Sequence, residues 1–240
     1  MQCIILAGGL GNRVKKLTEQ IPKPLIPICG RPFLWHQLKQ LAEQQITDVV
    51  LSVGYKADLI EKFVKEFQND FSSIKISVVS EGDTLLGTGG AIRHCITQGV
   101  VQERFFVLYG DSYLPIAFKP VWQSAISSGK SALMTVFKND GAFDASNVIF
   151  DEGAKRIVLY SKKGTESEKA QMHFIDYGLT VLTREIISSS IPEGSVYDLA
   201  TLFGHLSVKG ELAGFEVSER FFEIGSYQGI SDLQQYLENH

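Results

Sequence analysis

Apolar positions fall along this chain in two alternating rhythms. Residues 2–7 (QCIILA) form an unbroken apolar run bounded by glycines, which predicts a parallel strand buried on both faces. Residues 32–45 then place Phe33, Leu34, Leu38, Leu41 and Ala42 at helical spacing. The pattern repeats. ITDVVLSVG reads as a strand, and ADLIEKFVKEF as a helix with Leu59, Ile60, Phe63, Val64 and Phe67 on one face. IKISVVSE, GGAIRHCITQG, RFFVLYGD and VWQSAISSG continue as strand, helix, strand, helix. Such alternation predicts right-handed βαβ units and a parallel sheet with helices on both faces.

From about residue 130 the rhythm changes. SALMTVF, SNVIFDEGAKRIVLYSKK and HFIDYGLTVLT read as strands with short turns, DEGAK being a hairpin candidate. REIISSSIP and YDLATLFGHLSVKG read as helices, LAGFEVS as a strand, and SYQGISDLQQYLENH as a closing helix. No linker, repeat or low-complexity tract interrupts this order. The expected fold is one α/β domain over residues 1–240, a Rossmann-like, doubly wound, mainly parallel mixed sheet in three α/β/α layers. Residues up to about 130 form its nucleotide-binding part, and about 131–240 a β-rich part packed on it.

Composition removes several function classes. A chain of 240 residues, 44% hydrophobic and 21% charged, is an ordinary globular sequence able to bury a sizeable core. Its net charge of −4 supplies no general field for nucleic acid or anionic membrane, so a bound polyanion needs a local cationic patch. The longest apolar runs are strand-sized, far short of a membrane span. The chain enters a strand at once, leaving no room for a signal peptide. Cys3, Cys29 and Cys95 are spaced for neither a disulfide framework nor a zinc site. The cytoplasm is the expected location.

In open α/β sheets, ligands bind beyond the carboxyl ends of the strands, where the strand order reverses. The loops concerned follow Leu6, Val53, Ser80 and Tyr109, and hold AGGLGNR, GYK, EGDTLLGTGG and GDS. Glycines after a strand let the backbone approach an anion and point N–H groups at it. AGGLGNR is neither a P-loop, lacking Gly-Lys-Ser/Thr, nor a dinucleotide fingerprint, since Val14 stands where the third glycine belongs. By itself it is equally a tight strand-to-helix turn. Cations tip the balance. Arg13 follows Gly11 by two residues, and Lys23 lies between Pro22 and Pro24, which stiffen the backbone and aim a fixed charge. Lys15 and Lys16 read as a solvated face. Asp111, ending a hydrophobic strand at this edge, reads either as a Mg²⁺ ligand or as a cap of the next turn. Glu223, in RFFEIGSYQG, is the second candidate carboxylate.

The ordered set LAGGLGNR, PKPLIPICGRP, LGTGGAI, YGD and FFEIG resembles the sugar-1-phosphate nucleotidyltransferases, the nucleotide-sugar pyrophosphorylases, over nearly the whole chain. The pairing GGxGxR…PKP is highly specific to that superfamily. LGTGGAIR with a short C-terminus looks most like the guanylyltransferases acting on D-glycero-D-manno-heptose 1-phosphate. The resemblance implies an NTP and a sugar 1-phosphate as substrates and Mg²⁺ as cofactor. The sugar-phosphate oxygen attacks the α-phosphorus and pyrophosphate leaves, with no covalent enzyme intermediate. It implies nucleotide contacts from Leu6, Ala7, Gly8, Gly9, Gly11, Asn12, Glu81, Gly87, Thr88 and Gly89. Arg13 then stabilises the departing pyrophosphate, and Lys23 neutralises the α-phosphate. Asp111 and Glu223 hold the metal, and Asp111, Lys163, Asp176 and Gly178 serve the sugar phosphate. A carboxylate only accepts hydrogen bonds and guanine offers adjacent donors, so Glu81 leans towards GTP.

Three positions depart from the family pattern. Lys162-Lys163-Gly164 replaces Glu-Lys-Pro, Asp176-Tyr177-Gly178 replaces Asn-x-Gly, and Glu223-Ile224-Gly225 replaces Asp-x-Gly. The triphosphate half of the site is therefore expected intact and the sugar half altered. Two other readings stay open: a cytidylyltransferase of the phosphocholine type, and a nucleotide-sensing domain without turnover. Neither nucleic acid nor membrane is expected as a partner. The apolar pattern leaves open a homo-oligomer.

Overall fold

The computed structural model describes residues 1–9, 14, 18–82, 84–139, 141 and 143–240. Its centre is a nine-stranded sheet. The first half follows the expected alternation: β1 (Gln2–Leu6), α1 (Phe33–Glu43), β2 (Asp48–Val53), α2 (Ala57–Phe67), β3 (Lys75–Ser80), α3 (Gly87–Thr97), β4 (Arg104–Tyr109) and α4 (Phe118–Ser127). The second half supplies β5 (Ala132–Lys138), β6 (Val148–Asp151), β7 (Arg156–Tyr160), β8 (Phe174–Thr183), α5 (Arg184–Ser190), α6 (Leu199–Val208), β9 (Leu212–Val217) and α7 (Tyr227–Asn239).

The strand order is β3-β2-β1-β4-β8-β5-β9-β7-β6. Pairings from β3 to β4 are all parallel, each joined through a helix. β8 then enters antiparallel to both β4 and β5. β5 and β9 are parallel, whereas β7 is antiparallel to β9 and to β6. The sheet is thus mixed, and its uniformly parallel character stops at β4. The short turn between Asp151 and Arg156 accounts for the antiparallel β6–β7 pair, whereas β8 is set against β4 and β5 by pairing at long range.

Both faces of the sheet are covered. In β1, Cys3 and Ile5 enter one core with Leu34, Leu38, Ile60, Phe63, Phe118 and Val121 from α1, α2 and α4. Ile4 enters the other, with Ile92, Cys95, Ile187, Leu202 and Phe203 from α3, α5 and α6. Alternate residues of one strand feed opposite cores because successive side chains point to opposite faces. This three-layer packing accounts for the unbroken apolar runs.

A third, smaller cluster sits at one edge, where Val14, Ile26, Ile28 and Phe33 meet Phe222, Ile224 and Leu233. It clamps the segment after Lys23 against the segment around Glu223, residues 200 positions apart in sequence. The strand order also reverses at β1: β2 and β3 lie on one side of it, and β4 returns on the other. The carboxyl ends of β1 and β4 therefore border the crevice where such folds hold ligands.

Candidate active site

That crevice contains two adjoining cavities. The smaller, of about 260 Å³, is walled by Leu6–Gly9, Lys23, Pro24, Glu81, Leu85, Gly87, Thr88, Ala91 and Tyr109–Asp111. The larger, of about 850 Å³, is bordered by side chains of the second half, among them Asn147, Tyr160, Lys162, Asp176, Phe221 and Glu223. Tyr109 and Asp111 line both. The divide between the cavities is therefore the end of β4.

Each wall has a local cause. Leu6, Ala7, Gly8 and Gly9 end β1, and the Gly110 N–H donates to the Leu6 carbonyl at 3.0 Å. A Cβ on Gly110 would stand 2.6 Å from that same oxygen, so only glycine lets the two strand ends close. Lys23 opens a one-turn 3₁₀ helix, Lys23–Leu25, whose Pro24 is buried. The prolines fix the lysine as the sequence suggested, and its Nζ donates to Asp111 Oδ2 at 2.8 Å. Both side chains are largely shielded, 13% and 27% exposed. Asp111 is in turn held by α1. The Gln37 carboxamide, fully buried, donates to the carbonyls of Tyr109 (3.0 Å) and Ser112 (2.8 Å) on either side of it. Gln37 went unnoticed in the sequence because a polar residue on a buried helical face reads as an interruption.

Glu223 reaches the larger cavity through a two-residue ribbon, Phe222–Glu223 paired with Ser112–Tyr113. The Ile224 N–H donates to the Asp111 carbonyl at 3.0 Å, so the two acids are fixed to one another through the backbone. Asp111 and Glu223 face the same cavity. Among the described residues no group of three or more His, Cys, Asp or Glu gathers to hold a metal unaided. Asp111 and Glu223 are the two carboxylates here that could share a divalent cation, whose remaining positions would go to other oxygens.

Asp176 and Gly178 also line the larger cavity. The Asp176 carboxylate accepts the Gly178 N–H at 3.0 Å, while the Asp176 N–H donates to Asn147 Oδ1 at 3.0 Å. Burial pushes the Asp176 carboxyl up to about 6, against the Gly178 N–H and the Lys162 ammonium, which pull it down. Burial likewise raises Tyr109 well above an ordinary tyrosine, helped by the negative charge of Asp176, so its phenol stays protonated.

At three of the expected positions the structure shows a contact or placement that the sequence does not. Glu81 borders the smaller cavity, but one of its oxygens accepts the Leu86 N–H at 2.7 Å and the other lies against Gly8. Burial raises its carboxyl, opposed by that N–H. Its first task is thus to fasten the loop into α3. Gly87 and Thr88 line the smaller cavity, but Gly89 does not: its N–H donates to the Tyr197 carbonyl at 2.8 Å, as does that of Gly90 at 3.1 Å. Those two N–H groups near the start of α3 are thus capped by a carbonyl from a distant segment. Lys162 and Lys163 are both exposed, and of the two Lys162 lines the larger cavity. Gly11, Asn12 and Arg13 lie outside the described residues.

The comparison with known proteins follows this geometry. The family described as nucleotidyl transferase matches residues 2–146, which hold the smaller cavity and Asp111. The chain belongs to the nucleotidyl transferase family. Two of its relatives bear the names of sugar-1-phosphate guanylyltransferases. It is 32% identical over 241 residues, all of both chains, to D-glycero-alpha-D-manno-heptose 1-phosphate guanylyltransferase of Aneurinibacillus thermoaerophilus. It is 29% identical over 245 residues to mannose-1-phosphate guanyltransferase beta-B of Xenopus laevis, covering 100% of this chain and 65% of that one. It therefore spans about two thirds of the latter's length. The structure of HddC from Yersinia pseudotuberculosis complexed with GMP-PN superposes with a TM-score of 0.80 at 25% identity, over 98% of this chain and 99% of that one. No helix among the described residues is long and apolar enough to cross a membrane.

Proposed function

We propose that this nucleotidyl transferase joins the guanylyl group of GTP to a heptose or hexose 1-phosphate, giving a nucleotide-sugar and pyrophosphate. The observation that carries the reading is the meeting of two cavities at Tyr109 and Asp111, with Lys23 on Asp111 at the junction. The guanylyltransferase relatives support the base and the acceptor class. In this reading residues 1–240 act as one domain, with about 1–130 serving the nucleotide and about 131–240 the sugar phosphate.

An oxygen of the sugar phosphate attacks the α-phosphorus, the bond from that phosphorus to pyrophosphate breaks, and pyrophosphate carries away the electron pair. The protein's part is placement and charge neutralisation. Leu6–Gly9, with Gly11 and Asn12, bring backbone to the triphosphate, Arg13 meets the leaving pyrophosphate, and Lys23 faces the α-phosphate. Asp111 and Glu223 would hold Mg²⁺, which when bound supplies further neutralisation of the phosphates. Asp176 and Gly178 border the sugar.

The test is a matrix of GTP, CTP, UTP and dTTP against sugar 1-phosphates, with pyrophosphate release as readout. Release with GTP and a heptose or mannose 1-phosphate is the expected result; clear preference for UTP or dTTP would remove the guanine assignment. The acids and aromatic rings of the larger cavity, Asp176 and Glu223 with Tyr160 and Phe221, are also what an ammonium group seeks. CTP with phosphocholine therefore belongs in the matrix, and turnover with that pair alone would replace this reading.

A further inference from the structure

Asp198 touches the residues of both cavities while lining neither. It caps α6, its Oδ1 accepting the Ala200 N–H at 3.0 Å. The same oxygen accepts the Thr88 hydroxyl at 3.1 Å, and Thr88 borders the smaller cavity. Its Oδ2 faces Lys162 Nζ at 3.4 Å, and Lys162 borders the larger one. Burial pushes the Asp198 carboxyl up, but the Ala200 N–H, the Lys162 ammonium and the Thr88 hydroxyl together hold it below the usual range, so it is charged.

The nucleotide side of this link is rigid. The Leu199 N–H donates back to Thr88 Oγ1 at 2.8 Å. The Tyr197 carbonyl takes the N–H groups of Gly89 and Gly90, and the Tyr197 N–H donates to the Leu86 carbonyl at 2.8 Å. Segment 195–199 is thereby docked on the start of α3. The Lys162 side is looser, with both partners about half exposed, 56% and 55%. The tie depends on a departure already noted, because a glutamate at position 162 would stand beside Asp198 as a like charge and be repelled.

We propose that Asp198 is a positioning residue for the transfer reaction: it anchors on Thr88 at the nucleotide cavity and holds Lys162 at the rim of the acceptor cavity, where that cation meets the acceptor's anionic end. This rests on the transferase reading above.

Asp198→Asn isolates the effect. Asparagine also caps helices and keeps an oxygen for the Ala200 N–H and the Thr88 hydroxyl, while the charge facing Lys162 is lost. Acceptor KM is expected to rise about three- to five-fold, the scale of a half-exposed ion pair, with GTP affinity and melting temperature unchanged. Lys162→Met should give the same rise, Lys162→Arg should restore most of the wild-type value, and the double variant Asp198→Asn/Lys162→Met should add nothing further. Additive effects of the two substitutions, an unchanged acceptor KM, or a fall in acceptor KM would each overturn the proposal. If Asp198→Asn lowers the melting temperature, Lys162→Met and Lys162→Arg carry the test, since Lys162 is exposed. Wild-type protein that releases no pyrophosphate with any sugar 1-phosphate overturns the transferase reading itself, a result distinct from all of these.

Discussion

The two cavities are built from different materials. The smaller is walled largely by residues at the ends of β1 and β4 and at the start of α3, several of them glycines, and two of its charged residues, Lys23 and Asp111, are locked together at 2.8 Å. The larger is walled by side chains from β7, β8 and the segments around them. Backbone walls are set by sheet geometry and tolerate little change, since each atom is already placed by a hydrogen bond or a close contact. Side-chain walls can be replaced one residue at a time without disturbing the sheet. All three departures from the family pattern fall in the segments that border the larger cavity, around Lys162, Asp176 and Glu223. In the proposed reading, the side of β4 that carries the transfer keeps the family pattern and the side that takes the acceptor departs from it.

The sharpest way to break that division is at the acid both cavities share. Asp111→Asn removes the charge that faces Lys23 and the proposed metal, and turnover is expected to fall by about 10²-fold or more while the fold persists. Steady-state pyrophosphate release with a melting curve checks both halves of the statement. Near-normal turnover would mean that Asp111 only braces Lys23.

Next in size is the backbone wall itself. A Cβ on Gly90 would overlap the Ser195 carbonyl oxygen and crowd Leu86. Both neighbours are fixed by the docking of segment 195–197 on α3, so neither can yield cheaply. Gly90→Ala is expected to cost about 1–3 kcal/mol of stability and to loosen Thr88 with it. Chemical denaturation measures the loss. No loss would show that segment 195–197 moves freely and is no true wall.

These two positions also show what was legible in the sequence and what was not. ADLIEKFVKEF is α2 to the residue, because an amphipathic helix is written in spacings of three and four. The loops after Leu6 and Tyr109 were placed at the ligand edge by alternation alone, and both line the smaller cavity. What pairing at long range decides was not legible. Nothing local says that β8 inserts antiparallel beside β4, or that Phe222–Glu223 pairs with Ser112–Tyr113 and carries Glu223 to Asp111. The glycines of LGTGG read as ligand contacts because the carbonyl that takes two of their N–H groups lies at Tyr197, over a hundred residues on.

A smaller effect separates the cavities by pH. Asp176 lines only the larger one, with a carboxyl pushed up to about 6 by burial. The ordinary carboxyl ionises near 4, so ionisation is harder in the folded protein than in the unfolded chain. Stability from this group is full below about pH 4 and is lost as pH rises through about 6. Asp176→Asn keeps an acceptor for the Gly178 N–H and removes the charge. The difference in stability between variant and wild type should therefore grow, in the variant's favour, from pH 4 to pH 7, on the order of 1–2 kcal/mol. Acceptor KM should change a few-fold across the same window in the wild type, while nucleotide KM stays level. A pH-independent stability difference would show Asp176 ionising as an ordinary surface acid.

The smallest expected effect bears on the register of the turn that borders the acceptor. By motif, Lys163 matches the family's sugar-phosphate lysine; in the structure both lysines are exposed, Lys162 lines the cavity, and the Lys163 N–H donates to Ser161 Oγ at 3.2 Å. Only Lys162 of the two lines the cavity, so it is the one placed to meet the acceptor's phosphate. Lys163→Ala is expected to leave acceptor KM within about two-fold, the range of a surface substitution. Comparing it with Lys162→Met under identical conditions decides the register. A larger rise for Lys163→Ala would mean that the turn rotates by one residue when the acceptor enters. The acceptor wall would then be reshaped on binding, while the backbone wall across β4 stayed fixed.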